Sequence, residues 1–155
     1  MTAHPDIEQF NRTVWSIVRQ VPNGIVTTYG QIASMIPRPP EVDETDYEKL
    51  SPRWVGDAMN AVSRADNKNI PWWRVINSRG GVSLKPETQA GTQQRTRLKR
   101  EGVKFDEKEL VDFAAVGWTG PDDDWLAEHG LMKPKPLIPD EPPPSDDNPQ
   151  QLSLF

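Results

Sequence analysis

The chain has 155 residues, a formal net charge of −5 and no cysteine. Without a thiol, disulfides, thiolate metal sites and thiol nucleophiles are excluded. No apolar run is long enough to span a bilayer. The polar start Met1-Thr2-Ala3-His4-Pro5-Asp6 does not read as a signal peptide.

One ordinary domain with a tail, cytoplasmic and with no cofactor, is the expectation at this length. The two histidines, His4 and His129, lie near the ends and suggest neither a zinc cluster nor a His-based catalytic pair. The charge is uneven. Residues 51–100 hold ten Lys/Arg against three Asp/Glu, a local +7, whereas residues 121–155 hold two against eight, a local −6. A basic middle suits a polyanion, whose phosphates release counterions to Lys and Arg. A solvated charged face is the alternative. DNA is favoured because the basic residues interleave with the motifs described below.

In chain order, Asp6 reads as the cap of a helix whose apolar stripe is Ile7, Phe10, Val14, Ile17, Val18 and Val21. Pro22-Asn23-Gly24 ends it. Val26-Thr27-Thr28 reads as extended, with Thr27 or Thr28 capping a short helix over residues 29–36. Residues 37–50 read as an irregular loop, broken by Pro39-Pro40 and dense in Glu41, Asp43, Glu44, Asp46 and Glu48. Ser51-Pro52 then reads as a helix start, a capping side chain followed by proline, for a helix over about residues 53–65. Residues 66–69 form a polar loop.

Next comes Pro71-Trp72-Trp73-Arg74-Val75, followed by Ile76-Asn77-Ser78-Arg79-Gly80-Gly81, a strand running into a tight turn. Indole faces stack on nucleobases, so two adjacent tryptophans beside an arginine suggest a binding surface. Core burial of both rings is the alternative. Val82-Ser83-Leu84 is expected to pair back as a short wing, and residues 85–91 to form a loop. A helix over residues 92–101 carries Arg95, Arg97, Lys99 and Arg100 and ends at Gly102. Val103, Phe105, Val111, Phe113 and Trp118 complete the packing. The domain is expected to span residues 1–120, with a short helical extension over 121–131. Residues 132–150 are proline-rich and acidic and read as a disordered linker.

Pro-x-x-Arg-Val followed by Ile-Asn-Ser-x-Gly resembles the active-site segment of the O6-alkylguanine-DNA alkyltransferases, usually Pro-Cys-His-Arg-Val. It more closely resembles their non-catalytic relatives, the alkyltransferase-like proteins, where a Trp commonly stands at the cysteine position, as Trp72 does here. Thr28-Tyr29-Gly30-Gln31-Ile32-Ala33, Arg53-x-Val55-Gly56-x-Ala58-Met59 and Ala90-Gly91 with Glu101-Gly102-Val103 extend the likeness over residues 10–118.

The resemblance implies a mainly α domain with a small β wing, a winged helix-turn-helix-like fold whose recognition helix enters the minor groove. It implies that Tyr29 rotates the phosphate beside a flipped nucleotide and that Arg53 fills the vacated position in the stack. Gly56 and Ala58 would let the backbone approach DNA. Trp72, Trp73, Arg74 and Val75 would border the extruded base, with the carbonyls of Trp72 and Val75 reading guanine. Lys85 would lie in the loop that closes over it, and Ser83 in the wing beside that loop.

Alkyl transfer needs an activated thiolate. Trp72 and Trp73 replace the cysteine and histidine, an indole nitrogen is no useful nucleophile, and Glu101 is left to a structural role, pairing with Arg74. Asp57 departs from the usual small or neutral residue and would weaken binding if it faced a phosphate. Trp73 departs even from the non-catalytic relatives, which usually keep histidine there. The expectation is a non-enzymatic sensor of O6-alkylguanine in duplex DNA that flips the base, at a cost lowered by damage, and hands it to nucleotide excision repair. A sequence-tolerant helix-turn-helix module or regulator that flips no base is the alternative.

Finally, Gln151-Leu152-Ser153-Leu154-Phe155 resembles the short peptide by which bacterial replication and repair proteins bind the sliding clamp. The likeness implies a clamp partner and a bacterial source. Leu154 and Phe155 would be the apolar anchors, Leu152 a smaller one and Gln151 a directional amide. An inert or folded-back tail is the alternative.

Overall fold

Apolar residues spaced by three and four give the first helix one buried face. In α1 (Ile7–Val18), Phe10, Val14, Ile17 and Val18 are buried, and Val21 follows them into the core. Each such side chain contributes about 1.5–3 kcal/mol on full burial. The computed structural model describes residues 7–62 and 69–137. The expectations for Asp6, for most of the 66–69 loop and for residues 138–155 lie outside the described residues.

The chain turns at Pro22-Asn23-Gly24 into β1 (Thr27–Thr28) and then α2 (Tyr29–Met35). Thr28 is the cap: its Oγ1 accepts from the Gln31 N–H at 3.0 Å. α3 (Glu44–Asn60) packs against both α1 and α2. Tyr47, Ser51, Trp54, Val55 and Ala58 make its buried stripe. Trp54 meets Phe10 edge-on at 6.0 Å and Tyr47 at 5.8 Å. The Trp15 indole N–H donates to the Ala58 carbonyl at 2.8 Å.

The start of α3 corrects the sequence reading, which placed a loop at 37–50 and a helix start at Ser51-Pro52. The helix begins seven residues before Ser51. The Asp43 carboxylate accepts from the N–H groups of Thr45 and Asp46 at 3.0 and 3.4 Å. Glu44 and Asp46 add favourable negative charge to the first turn. Tyr47 then anchors this turn by burial and by donating its hydroxyl to the Ile36 carbonyl at 2.9 Å. The acidic residues are thus the solvated face of a helix. Pro52 lies inside it, at a cost of about 3 kcal/mol where a helix interior lacks one N–H, offset by the packing on either side. The helix ends at Asn60, short of the expected residue 65.

β1 pairs in parallel with β2 (Val75–Ile76), Thr27 opposite Val75 and Thr28 opposite Ile76. Val26 bridges to Gly117 on the other side. A second buried cluster of Val26, Ile76, Leu98, Val103 and Val111 sits here. The mainly helical architecture with a small two-strand sheet matches the sequence expectation, but Val82-Ser83-Leu84 does not supply a strand. The turn over Asn77–Gly81 instead closes on itself. Asn77 N–H donates to the Gly81 carbonyl, and the Asn77 side-chain oxygen accepts from the Arg79 and Gly81 N–H groups, all at 3.0 Å.

α4 (Gln89–Arg100) begins earlier than expected, capped by Thr88. A Cβ on Gly91 would overlap the Lys85 carbonyl, so glycine permits the close approach of loop and helix. Two short helices follow, α5 (Phe113–Val116) and α6 (Asp123–Glu128). Residues 132–137, read from sequence as the start of a free linker, run against α2. Met132 N–H donates to the Met35 carbonyl and Lys135 N–H to Ser34 Oγ, both at 2.8 Å. Gln31 completes the attachment, its amide donating to the Trp118 carbonyl at 2.9 Å and to the Lys135 carbonyl at 3.1 Å.

Candidate nucleic-acid interface

With Trp54, Val55 and Ala58 turned inward, α3 presents Arg53, Gly56, Asp57 and Asn60 outward. Arg53 is exposed and forms no ion pair with a described residue. A Cβ on Gly56 would meet nothing within 4 Å. A glycine costs a helix interior about 1 kcal/mol, and no neighbour among the described residues requires it. Ala58 does not belong to this face: it is 0% exposed and packs in the core. A residue five positions after Arg53 falls on the opposite side of a helix. Asp57 does share the outward face.

Tyr29 opens α2 half-buried against the main core. Burial raises its phenol above the ordinary tyrosine value, so the hydroxyl keeps its proton and remains a donor at neutral pH.

The tryptophan segment forms a single 3-10 turn, Trp72–Arg74, that packs on α4. Both rings are half-buried, at right angles to one another and 6.1 Å apart. The Arg97 guanidinium lies 4.5 Å from the Trp73 ring centre and 5.8 Å from that of Trp72. Arg74 lies 5.4 Å from Trp73.

Glu101 ties these groups together. Its carboxylate accepts from the Trp73 indole N–H at 2.9 Å, from the Gly24 N–H at 3.0 Å, and from Arg74 Nε and Nη2 at 2.9 and 2.6 Å. Arg74 also donates to the Val21 carbonyl at 2.8 Å. Burial pushes the Glu101 carboxyl up. The hydrogen bonds from Arg74, Gly24 and Trp73 and the Arg74 charge outweigh it, and the net shift is downward. The expected Glu101–Arg74 pair is therefore present, and the Trp73 indole gives Glu101 a further donor.

Val75 is buried and contributes packing. Its carbonyl accepts from the Gln94 amide at 3.0 Å, and the Trp72 carbonyl accepts from the Val75 N–H. Gln94, missed in the sequence, also donates to the Trp73 carbonyl at 3.2 Å and so pins the turn to α4. The available signal was its position on the Gly91, Gln94, Leu98 stripe, the buried face of an otherwise polar helix.

Ser83 and Lys85 are exposed; Asn77 donates to Ser83 Oγ at 3.4 Å. Arg95, by contrast, folds onto the Gly91 carbonyl at 3.1 Å. The structure thus brings together Trp72, Trp73, Arg74 and Glu101, and separately Arg53 with Gly56.

Two clefts lie away from the tryptophans. One, of about 530 Å³, is lined by Gly30, Ser34, Tyr47, Pro52, Met132 and Lys135 among others. A smaller one, of about 140 Å³, is lined by Thr28, Gly30, Ser78 and Lys135 among others. Among the described residues no group of three or more His, Asp or Glu side chains could hold a metal ion, and no helix is long and apolar enough to cross a membrane.

The family model for the DNA-binding domain of 6-O-methylguanine DNA methyltransferase matches residues 9–103. Alkyltransferase-like protein 1 of Schizosaccharomyces pombe is 35% identical over 107 residues, 69% of this chain and 88% of that protein. This chain belongs to the alkyltransferase-like family. A DNA base-flipping protein of Vibrio parahaemolyticus is 33% identical over 112 residues, 72% of this chain and 98% of that protein. The crystal structure of S. pombe Atl1 in complex with damaged DNA containing O6-carboxymethylguanine matches this alkyltransferase-like fold with a TM-score of 0.54 and 29% identity, over 72% of this chain and 95% of that one.

Proposed function

We propose that this alkyltransferase-like chain is a non-enzymatic sensor of O6-alkylguanine, which it binds from the minor groove of duplex DNA and flips out of the stack. The observation that carries this reading is a DNA-alkyltransferase-type domain in a chain with no cysteine. Trp72 stands where the transferases keep their nucleophile, and an indole cannot accept an alkyl group by the thiolate route. The outward face of α3 supports minor-groove entry, with Arg53 as the extruding side chain and Gly56 as the point of close approach. The relatives named for base flipping and for binding damaged DNA support it as well.

Discrimination then comes from the lower cost of extruding a weakly paired, damaged base. Tyr29 donates toward the lesion, and Trp72, Trp73, Arg74, Val75, Ser83 and Lys85 border the base once flipped. The bound complex is handed to nucleotide excision repair. Gln151, Leu152, Ser153, Leu154 and Phe155 dock on a bacterial sliding clamp and keep the sensor near new DNA.

Two measurements test the core of the proposal. Duplex carrying a labelled methyl group on guanine should transfer no label and regain no guanine; stoichiometric label on the protein contradicts it. Arg53→Ala should weaken lesion binding by roughly 1–3 kcal/mol, the usual worth of a specific contact. It should also suppress the unstacking signal of a fluorescent base beside the lesion. An unchanged affinity and signal would exclude Arg53 as the extruding residue.

A further inference from the structure

We propose that residues 132–137 form a second DNA-contacting element, in which Lys135 binds a backbone phosphate beside the α2–α3 face. This rests on the reading that the chain binds duplex DNA, and not on lesion recognition. The segment lies beyond residues 9–103, the stretch matched by the family domain.

Its sequence, Met132-Lys133-Pro134-Lys135-Pro136-Leu137, carries two lysines and no acid. The prolines fix φ on both sides of Lys135 and reduce the freedom lost on binding. The Lys135 backbone is held at both ends, its N–H by Ser34 Oγ at 2.8 Å and its carbonyl by the buried Gln31 amide at 3.1 Å. A held backbone with an exposed ammonium suits a phosphate, which lysine binds as a compact point charge.

The location points the same way. Lys135 lines both clefts, and so does Gly30, the residue after Tyr29. Pro52, the residue before Arg53, lines the larger cleft, and Ser78 the smaller. Gly30 leaves this surface open, since a Cβ there would meet only Thr28 Oγ1, at 4.0 Å. The segment therefore sets a lysine with a held backbone beside the chain neighbours of both residues assigned to base extrusion. Glu44 and Glu48 also line the larger cleft, yet neither forms an ion pair with Lys135.

The test uses the full chain with two duplexes, one undamaged and one with a single O6-methylguanine, over about 50–200 mM salt. Lys135→Ala should weaken both complexes by the same factor. It should also reduce the slope of log affinity against log salt by about 0.9, the loss of one phosphate contact. Lys135→Arg should keep the slope, and Lys135→Glu should weaken binding further. Equal binding of the two duplexes by the wild-type chain, with the slope effect of Lys135→Ala intact, leaves this proposal standing and removes lesion sensing. An unchanged slope, or a loss confined to the lesion duplex, overturns it. So does a lower Tm with an unchanged slope, the result expected if Lys135 merely neutralises Glu44 and Glu48.

Discussion

At the scale of single residues, Glu101 organises the tryptophan turn. Its carboxyl is held below the ordinary carboxylate range, so its contribution to stability is full above the unfolded-state value near 4.5 and is lost as pH falls through the lower folded value. Glu101→Gln should therefore remove an acid-sensitive part of the unfolding free energy, visible as a flatter dependence of denaturant midpoint on pH below about 5. Because Arg74 would lose its partner, the same change should cost roughly 3 kcal/mol at neutral pH. Asp57, on the outward face with Arg53, should repel the DNA backbone. Asp57→Asn should tighten binding to damaged and undamaged duplexes alike by about 0.2–1 kcal/mol, the scale of one exposed charge interaction. The Pro-Trp-Trp-Arg-Val segment was legible because its residue types are rare together. Ala58 falls on the buried side because five residues from Arg53 carry it well around the helix, into the core. Gln94 was invisible because a glutamine on a helix reads as surface until its amide is seen closing two carbonyls.

At the scale of elements, α3 shows how a strong local signal can mislead. Ser51-Pro52 carries the features of a helix start, but Asp43 caps first and Tyr47 packs the added turns onto α2. Tertiary packing overrode the local cost of the proline. Pro52→Ala should restore a donor for the Glu48 carbonyl and raise stability by about 1–3 kcal/mol in equilibrium unfolding. No gain would mean that the bond is not missed and that the helix is effectively two. α1 was legible from its apolar period, and α2 from the Thr28 cap. The wing was not, since Val82-Ser83-Leu84 has strand-forming residues but the turn preceding it closes on the Asn77 side chain.

At the scale of the whole molecule, the charge divides into a basic middle, residues 51–100, and an acidic end, residues 121–155. A peptide of the last ten residues should bind purified bacterial sliding clamp with micromolar-range affinity, and Leu154→Ala with Phe155→Ala should abolish it. Binding indifferent to those changes would remove the clamp while leaving lesion sensing untouched. Sensing itself is tested most directly by competition between two otherwise identical duplexes, one with a single O6-methylguanine and one with guanine. The wild-type chain is expected to prefer the damaged duplex by at least about tenfold, or 1.4 kcal/mol, with no alkyl transfer during the measurement. Equal affinity for the two duplexes would contradict lesion sensing and leave a sequence-tolerant DNA-binding module in its place.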